Sequence, residues 1–267
     1  MKGIWSAVLT PIDKEYEPDA KRAIAYYRDL LSNGIDGINV LGTTGEAMSF
    51  ARKQRIRLME AVADKLPGER TMCGTGGCAL ADAVALTRVA GELGFAAALV
   101  MPPFFYRDAS EDGMLRWFDE LFARVPGAPP VVLYNFPKMT GMTFHADLVD
   151  RMMAAFPGKI AGMKDSSNDA TLQRELLTRH PELRVFPGSE STLLEAKAYG
   201  AAGCISGSVA LWPNEAQRAF LNDDVEAAAY VTMQRERLAG APLIALVRER
   251  VAIQRNDEAW RRTMPPC

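Results

Sequence analysis

The chain has 267 residues, 48% hydrophobic and 24% charged, the balance of a globular protein with enough apolar mass for a large buried core. A formal net charge of −2 excludes the positive footprint that neutralises a phosphate backbone, so no nucleic-acid partner is expected. No apolar run approaches the roughly 20 residues that span a bilayer, and the amino terminus lacks the basic-then-apolar plan of a signal peptide, so a cytoplasmic protein with no membrane partner is expected.

Along the chain, short apolar runs take turns with longer segments of helical spacing, as when each strand is followed by a helix that covers it. The first run is 4–9, followed by a stripe of Ile24, Tyr27 and Leu31. Run 37–41 precedes Met59, Val62, Ala63 and Leu66, and run 70–73 precedes Leu86, Val89, Ala90 and Leu93. Runs 97–101 and 130–134 come next, then the stripe Leu148, Val149, Met152 and Met153. Runs 160–164, 184–186 and 203–205 bring the number to about eight, which closes a parallel barrel. Val131-Val132-Leu133 and Ala96 to Met101 are apolar without alternation, as strands buried on both faces require.

The expected fold is therefore α/β, a (β/α)8 TIM barrel over 1–220. Helical segments at 223–238 and 243–254, separated by the turn signal Gly240-Ala241-Pro242, form a C-terminal extension over 221–267 within one domain, 1–267. Cys73, Cys78, Cys204 and Cys267 are scattered, and with only His145 and His180 they offer no paired ligand spacing. The reading is three buried thiols, one terminal thiol and no metal.

In such barrels the reactive groups sit where strands run into the following loops. Three of these junctions carry polar residues that are costly to bury: Gly42-Thr43-Thr44-Gly45-Glu46, Tyr134-Asn135-Phe136-Pro137 and Gly162-Met163-Lys164-Asp165-Ser166-Ser167. Lys164 closes an apolar run, where low dielectric disfavours an ammonium and leaves amine to attack a carbonyl; the alternative is a lysine that snorkels to solvent. Tyr134 ends the preceding strand, so its phenol is a proton shuttle or an amphipathic core tyrosine. The glycines of the first junction admit backbone N–H groups to a ligand, and Thr43, Thr44 and Gly45 suit a small carboxylate or form a plain turn. Glu46 orients groups there or is a solvated glutamate at a helix start. After the last two strands, Gly188, Ser189 and Ile205 are candidate substrate contacts. The alternative for Gly188-Ser189-Glu190-Ser191 is to start the next helix, with Ser189 or Ser191 as its cap. Gly207-Ser208 is open in the same way.

Taken jointly, Gly42-Thr43-Thr44-Gly45-Glu46, Tyr134-Asn135-x-Pro137 with Thr140-Gly141, and Gly162-x-Lys164 resemble the family of dihydrodipicolinate synthase and N-acetylneuraminate lyase, over nearly the whole chain. The resemblance implies a class I aldolase or lyase without metal or organic cofactor, taking a small keto acid such as pyruvate and an aldehyde. It also implies a homotetramer built as a dimer of dimers. Lys164 is implied as the Schiff-base lysine, Tyr134 as the proton-transfer residue, and Thr43 and Thr44 as carboxylate and relay residues.

Two departures bear on the substrate. Members that hold aspartate semialdehyde typically carry an arginine shortly after Tyr-Asn-x-Pro, where this chain reads Lys138-Met139-Thr140-Gly141, and a methionine makes no bidentate carboxylate contact. Members also often present a pair of tyrosines, one lent across the dimer interface, where this chain has Phe104-Phe105-Tyr106, leaving Tyr106 as the candidate relay aromatic. The expected reaction joins or splits pyruvate and an aldehyde, with a 2-keto-3-deoxy sugar acid as one product class. The alternatives are dihydrodipicolinate synthase with Lys138 replacing the arginine, and a non-catalytic barrel that binds a keto acid.

Overall fold

All eight expected runs become strands in the computed structural model, which describes residues 1–240 and 242–266. They are β1 (Gly3–Ala7), β2 (Gly37–Val40), β3 (Thr71–Gly74), β4 (Ala97–Val100), β5 (Val131–Asn135), β6 (Ile160–Asp165), β7 (Arg184–Pro187) and β8 (Gly203–Ser206). Every pairing is parallel, and the order β7, β6, β5, β4, β3, β2, β1, β8 sets each strand beside its predecessor and returns β8 to β1. The Ala202 N–H, just before β8, donates to the Val185 carbonyl of β7 at 2.8 Å and brings the ring to near closure. This is the TIM barrel expected from the alternation. Strand ends differ from the apolar runs because pairing sets them: β1 stops at Ala7 although Val8 and Leu9 are apolar.

The covering helices are α1 (Ala20–Ser32), α2 (Arg52–Ala63), α3 (Leu80–Glu92), α4 (Glu111–Arg124), the single turn α5 (Pro137–Thr140), α6 (Ala146–Ala155), α7 (Ala170–Arg179), α8 (Leu193–Ala198) and α9 (Pro213–Asn222). Several start on side-chain caps: Asp19 accepts from Arg22 N at 2.9 Å, Ser110 from Gly113 N at 3.1 Å and Asp169 from Leu172 N at 3.1 Å. Each such cap contributes about 1 kcal/mol. The stripes are nearly as expected, but in α1 the buried face is Ala23, Tyr26, Tyr27 and Leu30, with Ile24 and Leu31 at its margin.

Inside the ring lies a core that includes Trp5, Met72, Leu99, Val132, Phe186 and Ile205, while two larger apolar layers fill the space between strands and helices. After α9 come α10 (Val225–Glu236) and α11 (Leu243–Arg255). Thr232 of α10 donates to the Ser191 carbonyl at 2.8 Å, and Trp260 meets Tyr26 of α1 edge-on at 4.8 Å between centroids. Of the expected turn between these helices, Ala241 lies outside the described residues, as does Cys267. Cys73 and Cys204 are buried free thiols; Cys78 is only half-buried, because it sits in the loop between β3 and α3 and not in a strand.

Candidate active site

Strand alternation sends Lys164 into the barrel and its neighbour Asp165 towards the helices. Lys164 is paired in register with Tyr134 on β5 and Phe186 on β7, and it is 4% exposed. Its Nζ lies 4.4 Å from the centroid of the Tyr134 ring. Phe136 stacks on the same ring at 5.7 Å, and Tyr134 Oη stands 3.4 Å from Thr43 Oγ1, a long contact in which either group can donate. Thr43, Tyr134 and Lys164 are thus contiguous, although they come from three separate stretches of chain.

On the outer face of β6, Asp165 is fully buried and, among the described residues, its carboxylate accepts from neutral donors. Its Oδ1 accepts from Asn135 Nδ2 at 2.7 Å and Ser167 N at 3.1 Å; its Oδ2 accepts from Ser167 Oγ at 2.9 Å and Gln173 Nε2 at 2.6 Å. Asn135 in turn accepts from Phe144 N at 3.1 Å. Asn135 and Asp165 face each other in register, one residue beyond Tyr134 and Lys164. They hold the two strands at the level where the reactive pair must meet.

The turn after β2 is bracketed by two residues with left-handed backbone, Leu41 (φ 54°) and Glu46 (φ 52°). Such conformations cost on the order of 1–3 kcal/mol each and persist where surroundings enforce them. Glu46 supplies the enforcement: it is neither solvated nor free to bind a ligand, since its carboxylate accepts from Arg248 Nε at 2.9 Å and from Met264 N at 2.9 Å. Arg248 also donates to the Thr10 carbonyl at 2.8 Å. Within the turn, Gly45 is buried, and Thr44 leans on Gly207, where an added β-carbon would lie 2.6 Å from Thr44 Oγ1. Among the described residues, the N–H groups of Thr43 and Thr44 donate to no backbone carbonyl.

A cavity of about 240 Å³ opens beside Tyr134 and Thr43, walled further by Leu99, Phe104, Met139 and Ile244. Lys164 is not on its wall; the amine reaches the cavity through Tyr134, whose ring centroid lies 4.4 Å from Nζ. Lys138 is exposed and off the wall, so Met139 occupies the position that faces the cavity. Tyr106 is 60% exposed, edge-on to Phe105 at 5.4 Å, and is not brought to Lys164 within the chain. Ile205 belongs to the inner core with Tyr134 and is also off the wall. Gly188 packs against Ser166, where a β-carbon would come 2.2 Å from Ser166 Oγ. Ser189 accepts from Ser191 N at 3.2 Å and so caps the short turn Glu190–Thr192. Glu190 is buried and accepts from Ser208 Oγ at 2.6 Å and Trp212 Nε1 at 3.1 Å, tying the last two strand-end loops together.

Burial pushes the Cys73 thiol up to about 12 and the Cys204 thiol well above its ordinary range, so neither is a nucleophile at neutral pH. Among the described residues no three His, Cys, Asp or Glu side chains converge to hold a metal ion, and no helix is long and apolar enough to cross a membrane. Arg248 and the Asp165 network are structural supports of the candidate site that sequence reading does not reveal. The only signal for them was polarity beside an apolar strand end, and for Arg248 a charge amid apolar helix residues.

A parallel eight-stranded barrel with an amine set against a tyrosine near its mouth defines the class of lysine-based lyases and aldolases. A model of the dihydrodipicolinate synthetase family matches residues 1–244, and the chain belongs to that family. It is 37% identical over 220 residues to an uncharacterized DapA-like lyase of Chloroflexus aurantiacus, covering 82% of this chain and 74% of that one. Dihydrodipicolinate synthase from Agrobacterium tumefaciens superposes with a TM-score of 0.93 at 28% identity, over 100% of this chain and 93% of that one. YagE, a prophage protein of E. coli K12 solved in complex with pyruvate, gives 0.87 at 25% identity, over 100% and 92%.

Proposed function

We propose that this protein is a class I lyase in which the Lys164 amine condenses with pyruvate or another 2-keto acid, and the resulting enamine makes or breaks a carbon–carbon bond with an aldehyde. The observation that carries this reading is Lys164, 4% exposed and 4.4 Å from the Tyr134 ring. The protonated imine withdraws electrons from the adjacent carbon, which loses a proton to give the enamine; in the reverse direction the same sink accepts the electrons of the breaking bond. Tyr134 carries protons to and from the reacting oxygen with Thr43 beside it, while the N–H groups of Thr43 and Thr44 hold the carboxylate. Gly188, Ser189 and Ile205 remain proposed contacts for the rest of the substrate.

Borohydride trapping with pyruvate tests this reading: a stable mass addition on the native protein, absent from Lys164→Ala, is expected. An adduct that survives that substitution sinks it. The alternative, dihydrodipicolinate synthesis with Lys138 in place of the arginine, draws on the likeness to the Agrobacterium enzyme. It requires turnover of pyruvate with aspartate semialdehyde that is lost in Lys138→Ala.

We place the protein in the cytoplasm as a single domain, 1–267, that assembles as a homotetramer. The assembly is supported by Phe105 and Tyr106, 76% and 60% exposed in the loop after β4, an aromatic pair that a neighbouring copy would cover.

A further inference from the structure

The character of the cavity wall bears on the aldehyde, and the inference rests on the class I reading above. Besides Tyr134, the wall is built from Leu41, Leu99, Met101, Phe104, Met139 and Ile244. Its side-chain polar groups are few: the Thr43 and Tyr134 hydroxyls, which stand where the reacting oxygen goes, the Glu46 carboxylate and Ser49. Thr43 Oγ1 contacts Tyr134 Oη, and both oxygens of Glu46 are occupied by Arg248 and Met264. Ser49, the remaining hydroxyl, is exposed at the rim. No lysine, arginine or histidine is on the described wall.

An anionic tail brought into this space loses its hydration and finds no cation, and each buried hydroxyl of a polyol tail costs about 1–3 kcal/mol when it lacks a partner. A hydrocarbon tail instead gains about 25 cal/mol for each Å² removed from water. Met139 is the sharpest single feature. It is unbranched, pliable and half-exposed, a side chain that adapts to apolar ligands of varied outline.

We propose that the aldehyde partner is hydrocarbon-tailed, aliphatic or aromatic, with its tail among Phe104, Met139 and Ile244 and its oxygen at the Tyr134 hydroxyl. In the forward direction the enamine carbon attacks the aldehyde carbon and forms the new carbon–carbon bond. The carbonyl electron pair moves to oxygen, which takes the Tyr134 proton, and the imine re-forms. Water then hydrolyses the imine, frees the Lys164 amine and releases a 4-hydroxy-2-keto acid with an apolar substituent. The water consumed balances the water lost on imine formation, and Tyr134 regains its proton from the one surrendered by the keto-acid methyl group.

The test uses the native protein with pyruvate and three aldehydes: benzaldehyde, D-glyceraldehyde and aspartate semialdehyde. Benzaldehyde is expected to give a kcat/KM at least tenfold above the other two. Met139→Arg is expected to shift the ratio of aspartate semialdehyde to benzaldehyde turnover at least tenfold towards the former, and Ile244→Asn to shift the glyceraldehyde ratio upwards. Equal or better turnover of glyceraldehyde or aspartate semialdehyde by a protein that traps pyruvate on Lys164 overturns the hydrocarbon tail and leaves the lyase reading standing. Failure to trap pyruvate at all overturns both.

Discussion

Arg248 and Glu46 are 202 residues apart in sequence and meet in the interior, the guanidinium Nε donating to the carboxylate at 2.9 Å with the side chains 1% and 3% exposed. The pair joins α11 to the turn that carries Thr43 and Thr44, so the last long helix holds part of the candidate site in shape. Removing one member leaves a buried charge without its partner, which costs about 3–5 kcal/mol. Arg248→Met is therefore expected to lower unfolding stability by that amount in chemical denaturation, and the double variant Arg248→Met with Glu46→Leu to recover a large part of it. A double variant no more stable than the single would show that the pair is not what binds helix to turn.

Tyr134→Phe keeps the ring beneath the Lys164 amine and removes only the hydroxyl. The expected outcome is a loss of kcat by roughly 10²- to 10⁴-fold, the usual size of a general acid–base contribution, with an unchanged circular dichroism spectrum. Turnover within threefold of the native protein would take the proton transfer away from Tyr134.

Asn135→Leu deprives Asp165 of one donor and leaves the Phe144 N–H bare, an expected cost of about 2–3 kcal/mol. The exchange Asn135→Asp with Asp165→Asn restores a donor–acceptor pair across β5 and β6. Its thermal midpoint is expected above that of either single change. A strictly additive double variant would mean that the two side chains do not act as a clip.

Cys73, Tyr26 and Tyr27 all hold their protons more tightly when folded, chiefly because burial penalises the charged forms. The unfolded chain releases these protons first, from ordinary values of 9.0 for the thiol and 10.0 for the phenols, while the folded thiol waits until about 12. Stability is thus intact below about pH 9 and falls as the pH rises towards 12. Guanidinium midpoints measured from pH 8 to 12 should decline over that window, with part of the tyrosinate absorbance appearing only as the fold is lost. Full tyrosine ionisation with native circular dichroism would contradict this.

The barrel could be read from the chain because parallel strands covered on both faces leave an unbroken apolar signature, as in Val131-Val132-Leu133. Lys164, Tyr134 and Thr43 were legible for the opposite reason, as polar residues where those runs stop. The supports were not. Glu46 looked like a loop glutamate because its partner Arg248 lies in a helix whose sequence says nothing about what it faces. Asn135 and Asp165 adjoin the reactive pair in sequence, yet their role arises from register between two strands, which composition does not encode. Tyr106 is singled out by the family resemblance, and its exposure follows from a loop path that no local pattern specifies.

Lys164 and Asp165 are neighbours in the chain but face opposite sides of β6, the amine inward and the carboxylate into a shell of hydrogen bonds from Asn135, Ser167 and Gln173. The residues that would greet an aldehyde, Phe104, Met139 and Ile244, stand on the loop after β4, the single turn α5 and the peripheral helix α11. Point substitutions there can redraw what the barrel accepts without disturbing where its nucleophile stands. Appetite and reactivity are separately heritable in this architecture, so a lineage of such chains can diversify its diet while inheriting one chemistry intact.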